Sequence, residues 1–140
     1  MQGTTSHAGT YNGQAINIAA ALATLETLSQ PEVYSRALAH GDALREAIVS
    51  SAQRHGVKAC TTGVGTMFSV HLGLSEPPTH YRQLERADED LYEKFRAAMF
   101  ERGVSLIPGR WYVGMGGHGD EELALAAAAI DASFATITSE

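Results

Sequence analysis

Residues 57–72 read Val-Lys-Ala-Cys-Thr-Thr-Gly-Val-Gly-Thr-Met-Phe-Ser-Val-His-Leu, and in this stretch the hydrophobic period changes. Upstream, Val33, Ala37, Gly41, Leu44, Ile48 and Ala52 recur at the spacing of one helix face. Within the stretch the residues become β-branched and partly alternating. Two strands are therefore expected, Val57–Thr62 and Thr66–Leu72, with Gly63 and Gly65 forming a tight turn between them. Such a hairpin has to be covered on one face, and the rest of the chain supplies helices to do it.

Before the hairpin, Pro31 suits the first turn of a helix and Gly56 suits its C-terminal cap, so one long amphipathic helix is predicted between them. Further upstream, the run from Gln14 to Leu28 is rich in Ala, Ile and Leu on most faces, which predicts a helix buried on several sides. The first ten residues are small and polar and read as a loop. After the hairpin, Ser75-Glu76-Pro77-Pro78-Thr79 begins a surface loop. Leu91, Phe95, Ala98 and Met99 then share a helix face between Asp88 and Arg102, and Gly103 ends the pattern. Val104–Ile107 and Trp111–Met115 read as two short strands, and Asp120 to about Ile137 as an Ala-rich final helix. The expected class is α/β in two layers (α+β), a small mainly antiparallel sheet with helices on one face.

At 140 residues one hydrophobic core is affordable, and one domain is the default. The 16 acidic residues outnumber the 10 Lys and Arg, giving a net charge of −6, and no basic stripe is present. Nucleic acid and anionic membrane are therefore not expected as partners. The apolar run Ile16–Leu25 falls short of the roughly 20 residues that cross a bilayer. No signal peptide is read at Met1–Thr10. The single cysteine, Cys60, cannot form an internal disulfide, which points to a reducing, cytoplasmic setting.

Complete catalytic constellations are missing from the spacing. Gly114-Met115-Gly116-Gly117-His118-Gly119 follows a strand and precedes a helix, as a phosphate cradle would. The helix opens on Asp120, Glu121 and Glu122, however, whose charge repels phosphate and serves instead as an ordinary helix start. The six histidines, His7, His40, His55, His71, His80 and His118, are scattered without ligand spacing, so no metal site is expected. The two lysines, Lys58 and Lys94, read as solvated, Lys94 one helical turn after Asp90. The informative piece is Ala8-Gly9-Thr10-Tyr11-Asn12-Gly13-Gln14-Ala15, which sets a hydroxyl and backbone N–H groups just before a helix. An anion is favoured there, although Thr and Gly in this position also serve as a simple cap.

This run, continued by Ile16 and by Ala20-Ala21-Leu22-Ala23-Thr24-Leu25, resembles the stretch that begins the last third of class III pyridoxal-phosphate-dependent aminotransferases, a family that includes aminomutases. The resemblance extends along nearly the whole chain. It takes in Gly65-Thr66-Met67-Phe68, Ala87-Asp88, Glu101-Arg102-Gly103-Val104, Leu106-Ile107-Pro108 and His118-Gly119-Asp120-Glu121-Glu122-Leu123. It implies a small α/β domain beside a large cofactor-binding domain in a homodimer whose subunits share each active site, with Gly9 and Thr10 contacting the phosphate of pyridoxal 5'-phosphate in the partner's site. Residues 1–30 would be the loop and helix continuing from the large domain, and 31–140 the C-terminal small domain.

Two departures from the family pattern matter. The family's cofactor-anchoring lysine lies upstream of the matched stretch, so the chain reads as the C-terminal part of such an enzyme and is expected to be inactive alone. Where aminomutases of the family carry a Phe-Glu pair after the proline, this chain has Trp111-Tyr112, preceded by Arg110. With no carboxylate there, transamination of an amino acid or amine is at least as well supported as the mutase reaction, and Arg110 and Tyr112 become candidate substrate residues. A free-standing α/β binding or interaction domain that kept the fold without catalysis is the rival reading.

Overall fold

The computed structural model describes residues 9–108, 111–112 and 117–139. Its elements are α1 (Ala15–Leu28), α2 (Pro31–Arg54), β1 (Ala59–Val64), β2 (Met67–Leu72), a 3-10 helix (Tyr81–Arg86), α3 (Glu89–Glu101), β3 (Trp111–Tyr112) and α4 (Asp120–Thr138). The strands form one antiparallel sheet in the order β1-β2-β3, with Ala59 opposite Leu72, Val64 opposite Met67 and Phe68 opposite Trp111. Helix α4 packs against both α2 and α3, with α2 also meeting β1 and α3 meeting β2. This is the expected two-layer α/β arrangement.

The hairpin turn is seated on α2 by two glycines. Gly65 lies at φ +51°, in the left-handed region where a side chain is strained, and a Cβ on Gly41 of α2 would overlap the Gly65 carbonyl oxygen. Below the turn, alternate residues of β2, Phe68, Val70 and Leu72, are buried against the helices. They join Leu44 and Ile48 of α2, Phe95 and Met99 of α3, and Ile130 and Phe134 of α4 in one cluster. Aromatic rings link the layers: Phe95 lies 4.6 Å from Phe134 and 6.5 Å from Trp111, and Trp111 stacks on Phe68 at 5.5 Å. Cys60 is buried in β1, and burial pushes its thiol above the usual range.

A polar clasp ties α4 to α2. One oxygen of Asp131 accepts from Arg54 Nη2 (2.7 Å) and from the buried Ser51 hydroxyl (2.9 Å), and lies 3.2 Å from His55 Nε2. The hydrogen bonds from Arg54, Ser51 and His55 hold the Asp131 carboxyl down at about 2.

Local signals set most boundaries. Asp88 caps α3 by accepting the Leu91 N–H at 2.9 Å, and Gly56, at φ +72°, follows the end of α2. Three expectations are corrected. Val104–Ile107 is not a strand: the Val104 N–H donates to the Met99 carbonyl (3.0 Å), so its backbone closes the end of α3, and only Ile107 forms an isolated bridge. Tyr81–Arg86, left within a loop by the sequence, is a 3-10 helix. The largest correction concerns α1, expected to be buried on several sides, in which no residue is buried. Its apolar surface is real, but among the described residues α1 meets α2 without burying any of its own residues, while the sheet and α2–α4 share the core. Of the strand expected over Trp111–Met115, only Trp111 and Tyr112 fall within the described residues.

Candidate functional site

The turn Gly9–Gly13 leads directly into α1. The Asn12 N–H donates to the Gly9 carbonyl (3.0 Å) and the Gln14 N–H to the Tyr11 carbonyl (3.3 Å), while Gly13 turns the chain at φ +80°. Thr10 is exposed, and its hydroxyl makes no hydrogen bond among the described residues. Gln14 occupies the N-cap position without a side-chain cap, and the first turn of α1 carries no acidic residue. Among the described residues the positive end of this helix therefore has no side-chain cap and no acidic residue in its first turn, and Thr10 lies in the turn that precedes it.

The opposite holds at α4. There the Gly119 N–H donates to Glu122 Oε2 at 2.8 Å, and Asp120 and Glu121 add further negative charge in the first turn. The Gly119 N–H holds the Glu122 carboxyl below its usual range. One helix start is satisfied from within the chain, and the other leaves its first backbone N–H groups without a side-chain partner among the described residues. Residues 114–116 of the glycine cluster before α4 lie outside the described residues.

Of the other candidates, Arg110 lies outside the described residues. The backbone of Tyr112 pairs with Met67, at the end of β2 beside the hairpin turn. Lys58 and Lys94 are both exposed.

A feature that spacing did not reveal is a cleft between α2, α4 and the segment 103–106. His40 is buried in its wall, with Nε2 3.4 Å from Asp120 Oδ1. The available signal was helical position: His40 falls on the α2 face that carries Val33, Ala37 and Leu44, where a histidine among apolar residues marks a buried imidazole.

No protein-family model matches the chain. In solved structures the fold recurs in transaminases. An omega-transaminase from Sphaerobacter thermophilus superposes with a TM-score of 0.82 at 22% identity, over 95% of this chain and 30% of that one. A beta-phenylalanine aminotransferase from Variovorax paradoxus gives 0.79 at 24%, over 93% of this chain and 30% of that one. The fold is thus that of one portion of an aminotransferase. In sequence the chain is similar to glutamate-1-semialdehyde 2,1-aminomutase: 31% identical over 135 residues to that of Nitrosospira multiformis and 33% over 132 to that of Dechloromonas aromatica. These matches span 95% and 93% of this chain but only 32% and 31% of the relatives. The chain is thus similar in sequence to glutamate-1-semialdehyde 2,1-aminomutases and in fold to transaminases, and spans about a third of their length.

Proposed function

We propose that these residues are the C-terminal part of a class III aminotransferase, with 1–30 continuing from a large domain and 31–140 forming the small one. The observation that carries this reading is similarity along 93–95% of the chain to relatives three times its length. In the intact homodimer, pyridoxal 5'-phosphate supplies the electron sink for moving an amino group between an amino acid or amine and a keto acid or aldehyde. This chain binds and orients. The Thr10 hydroxyl, with the backbone at Gly9, donates to the cofactor phosphate in the partner subunit's site, and the uncapped start of α1 adds its dipole. The exposed face of α1 packs against the large domain and the partner subunit. Arg110 grips a substrate carboxylate through paired hydrogen bonds, and Tyr112 lines the same pocket. The aminomutase reaction is a second reading, favoured by the names of the sequence relatives; Tyr112, where aminomutases carry Glu, favours transamination.

The test is cofactor trapping. Pyridoxal phosphate is added to the 140-residue chain and to the intact protein, each is reduced with borohydride, and the labelled peptides are mapped. A lysine upstream of this region is expected to carry the label in the intact protein, and neither Lys58 nor Lys94 is expected to be labelled stoichiometrically in the chain alone. Stoichiometric labelling of either, with amino transfer, overturns the reading. In the intact protein, Arg110→Lys is expected to lower the specificity constant for a dicarboxylic donor about tenfold while sparing an uncharged one, because lysine cannot make the paired contact. An equal fall for both donors, or none, removes Arg110 from substrate recognition.

A further inference from the structure

The cleft between α2, α4 and the segment 103–106 shares no residue with the Thr10 turn. It encloses about 390 Å³, within the range of small-molecule pockets. Its wall is mainly apolar, with Leu44, Leu106, Leu123 and Ala126 among the lining residues. Two further residues give it a chemistry. His40 is 6% exposed, and the 3.4 Å between its Nε2 and Asp120 Oδ1 is longer than a good hydrogen bond, so the imidazole keeps hydrogen-bonding capacity within the wall. Trp111 is 4% exposed, and its Nε1 has no acceptor among the described residues, which leaves this wall one hydrogen bond short.

Charge narrows the choice of ligand. Glu122 and His118 also line the cleft, and Asp120, outside the lining, stands beside His40, so an anion would meet the Glu122 carboxylate. A compact cation would have to shed its hydration against an apolar wall. A neutral molecule avoids both costs.

We propose that this cleft binds a neutral small molecule with a cyclic or branched apolar body and one hydroxyl or carbonyl group, the body seated against Leu44, Leu106, Trp111 and Ala126 and the polar group hydrogen-bonded to His40. The proposal does not rest on the aminotransferase reading.

Trp111 is the only tryptophan of the chain, so its indole N–H gives a single nuclear magnetic resonance signal inside the wall. Cyclohexanol is titrated into the 15N-labelled chain. A saturable shift of the indole signal is expected, with a dissociation constant on the order of 1 mM. Cyclohexanecarboxylate, with the same ring and a charge, should bind at least tenfold more weakly. Ala126→Phe fills the cleft and should abolish the shift; Ser105→Phe, at an exposed lining position, does the same without touching the core and keeps the test valid if the first variant fails to fold. His40→Leu should bind cyclohexanol no better than methylcyclohexane. Absence of saturation, a shift that survives both filling variants, or equal binding of the carboxylate overturns the proposal.

Discussion

Helices α1 and α4 are both Ala-rich, yet they end in opposite environments. α4 buries Ala129, Ile130, Ser133, Phe134 and Ile137, while α1 buries nothing and leaves Ile16 75% and Leu25 63% exposed. Their N-termini are opposed as well, α4 satisfied by Glu122 and α1 without a side-chain cap. Composition makes both helices; partners decide which is buried. α1 meets α2 without burying any of its residues, and an apolar face left this open suits the proposed packing against a large domain and a partner subunit.

The largest difference should appear on truncating apolar side chains. Phe134→Ala, in the centre of the aromatic cluster, is expected to cost about 3–5 kcal/mol in urea unfolding. Leu22→Ala, on the exposed face of α1, should cost within about 0.5 kcal/mol in the 140-residue chain. In the intact protein the same Leu22→Ala should rise to the roughly 2–5 kcal/mol of a buried leucine, if the large domain and partner subunit cover that face. The isolated chain should also self-associate through it, and charged replacements at Leu22 and Leu25 should release monomers in sedimentation. A monomeric wild-type chain with a costly Leu22→Ala would break the comparison, since α1 would then be buried by its own domain.

How much of this was legible in the sequence follows from where the information lies. The α2 face, the hairpin and the α3 face that begins after Asp88 are encoded within one turn or one register, so periodicity finds them. The exposure of α1 is not encoded in α1: periodicity shows that a surface is apolar and says nothing about what covers it. The run Val104–Ile107 misled because apolar residues look strand-like even when the backbone is already committed to closing α3. Tyr81–Arg86 escaped because a 3-10 helix this short needs no apolar period. As for the site, the hydroxyl and N–H donors at Gly9 and Thr10 were readable as anion-compatible, and only the family resemblance raised them above an ordinary cap. The His40 cleft needs three separated segments to be brought together, which no local pattern predicts.

The second difference concerns the helix starts. If the open N-terminus of α1 holds the cofactor phosphate, Thr10→Ala in the intact protein removes one hydrogen bond to a charged group, about 1.5–3 kcal/mol, or roughly a ten- to hundredfold loss of cofactor affinity. The rate at saturating cofactor should change much less. Glu122→Gln, at the internally satisfied start of α4, should leave cofactor affinity unchanged. Equal effects of the two substitutions, or none from Thr10→Ala, would take the Thr10 turn out of the cofactor site.

The smallest expected difference is electrostatic and lies in how each helix is tied to α2. The side-chain hydrogen bonds of α1 are local, Thr24 and Thr27 each donating to a carbonyl of the preceding turn. α4 reaches across to α2 through Asp131, which Arg54, Ser51 and His55 hold at about 2, below the ordinary 3.8. Because the folded value is the lower one, the unfolded chain binds more protons between these two values. The contribution is therefore complete above about pH 4 and fades as pH falls towards 2. Asp131→Asn keeps the shape and removes the charge, so the stability gap between wild type and variant should be widest at neutral pH and close on acidification. Added salt should narrow it, since the carboxylate is half exposed. Urea midpoints from pH 2 to 7, measured with the face of α1 made polar to keep the chain monomeric, read the gap directly. A gap that stays constant across that range would mean that Asp131 holds α4 by hydrogen-bond geometry alone and that its charge adds nothing to the tie α1 lacks.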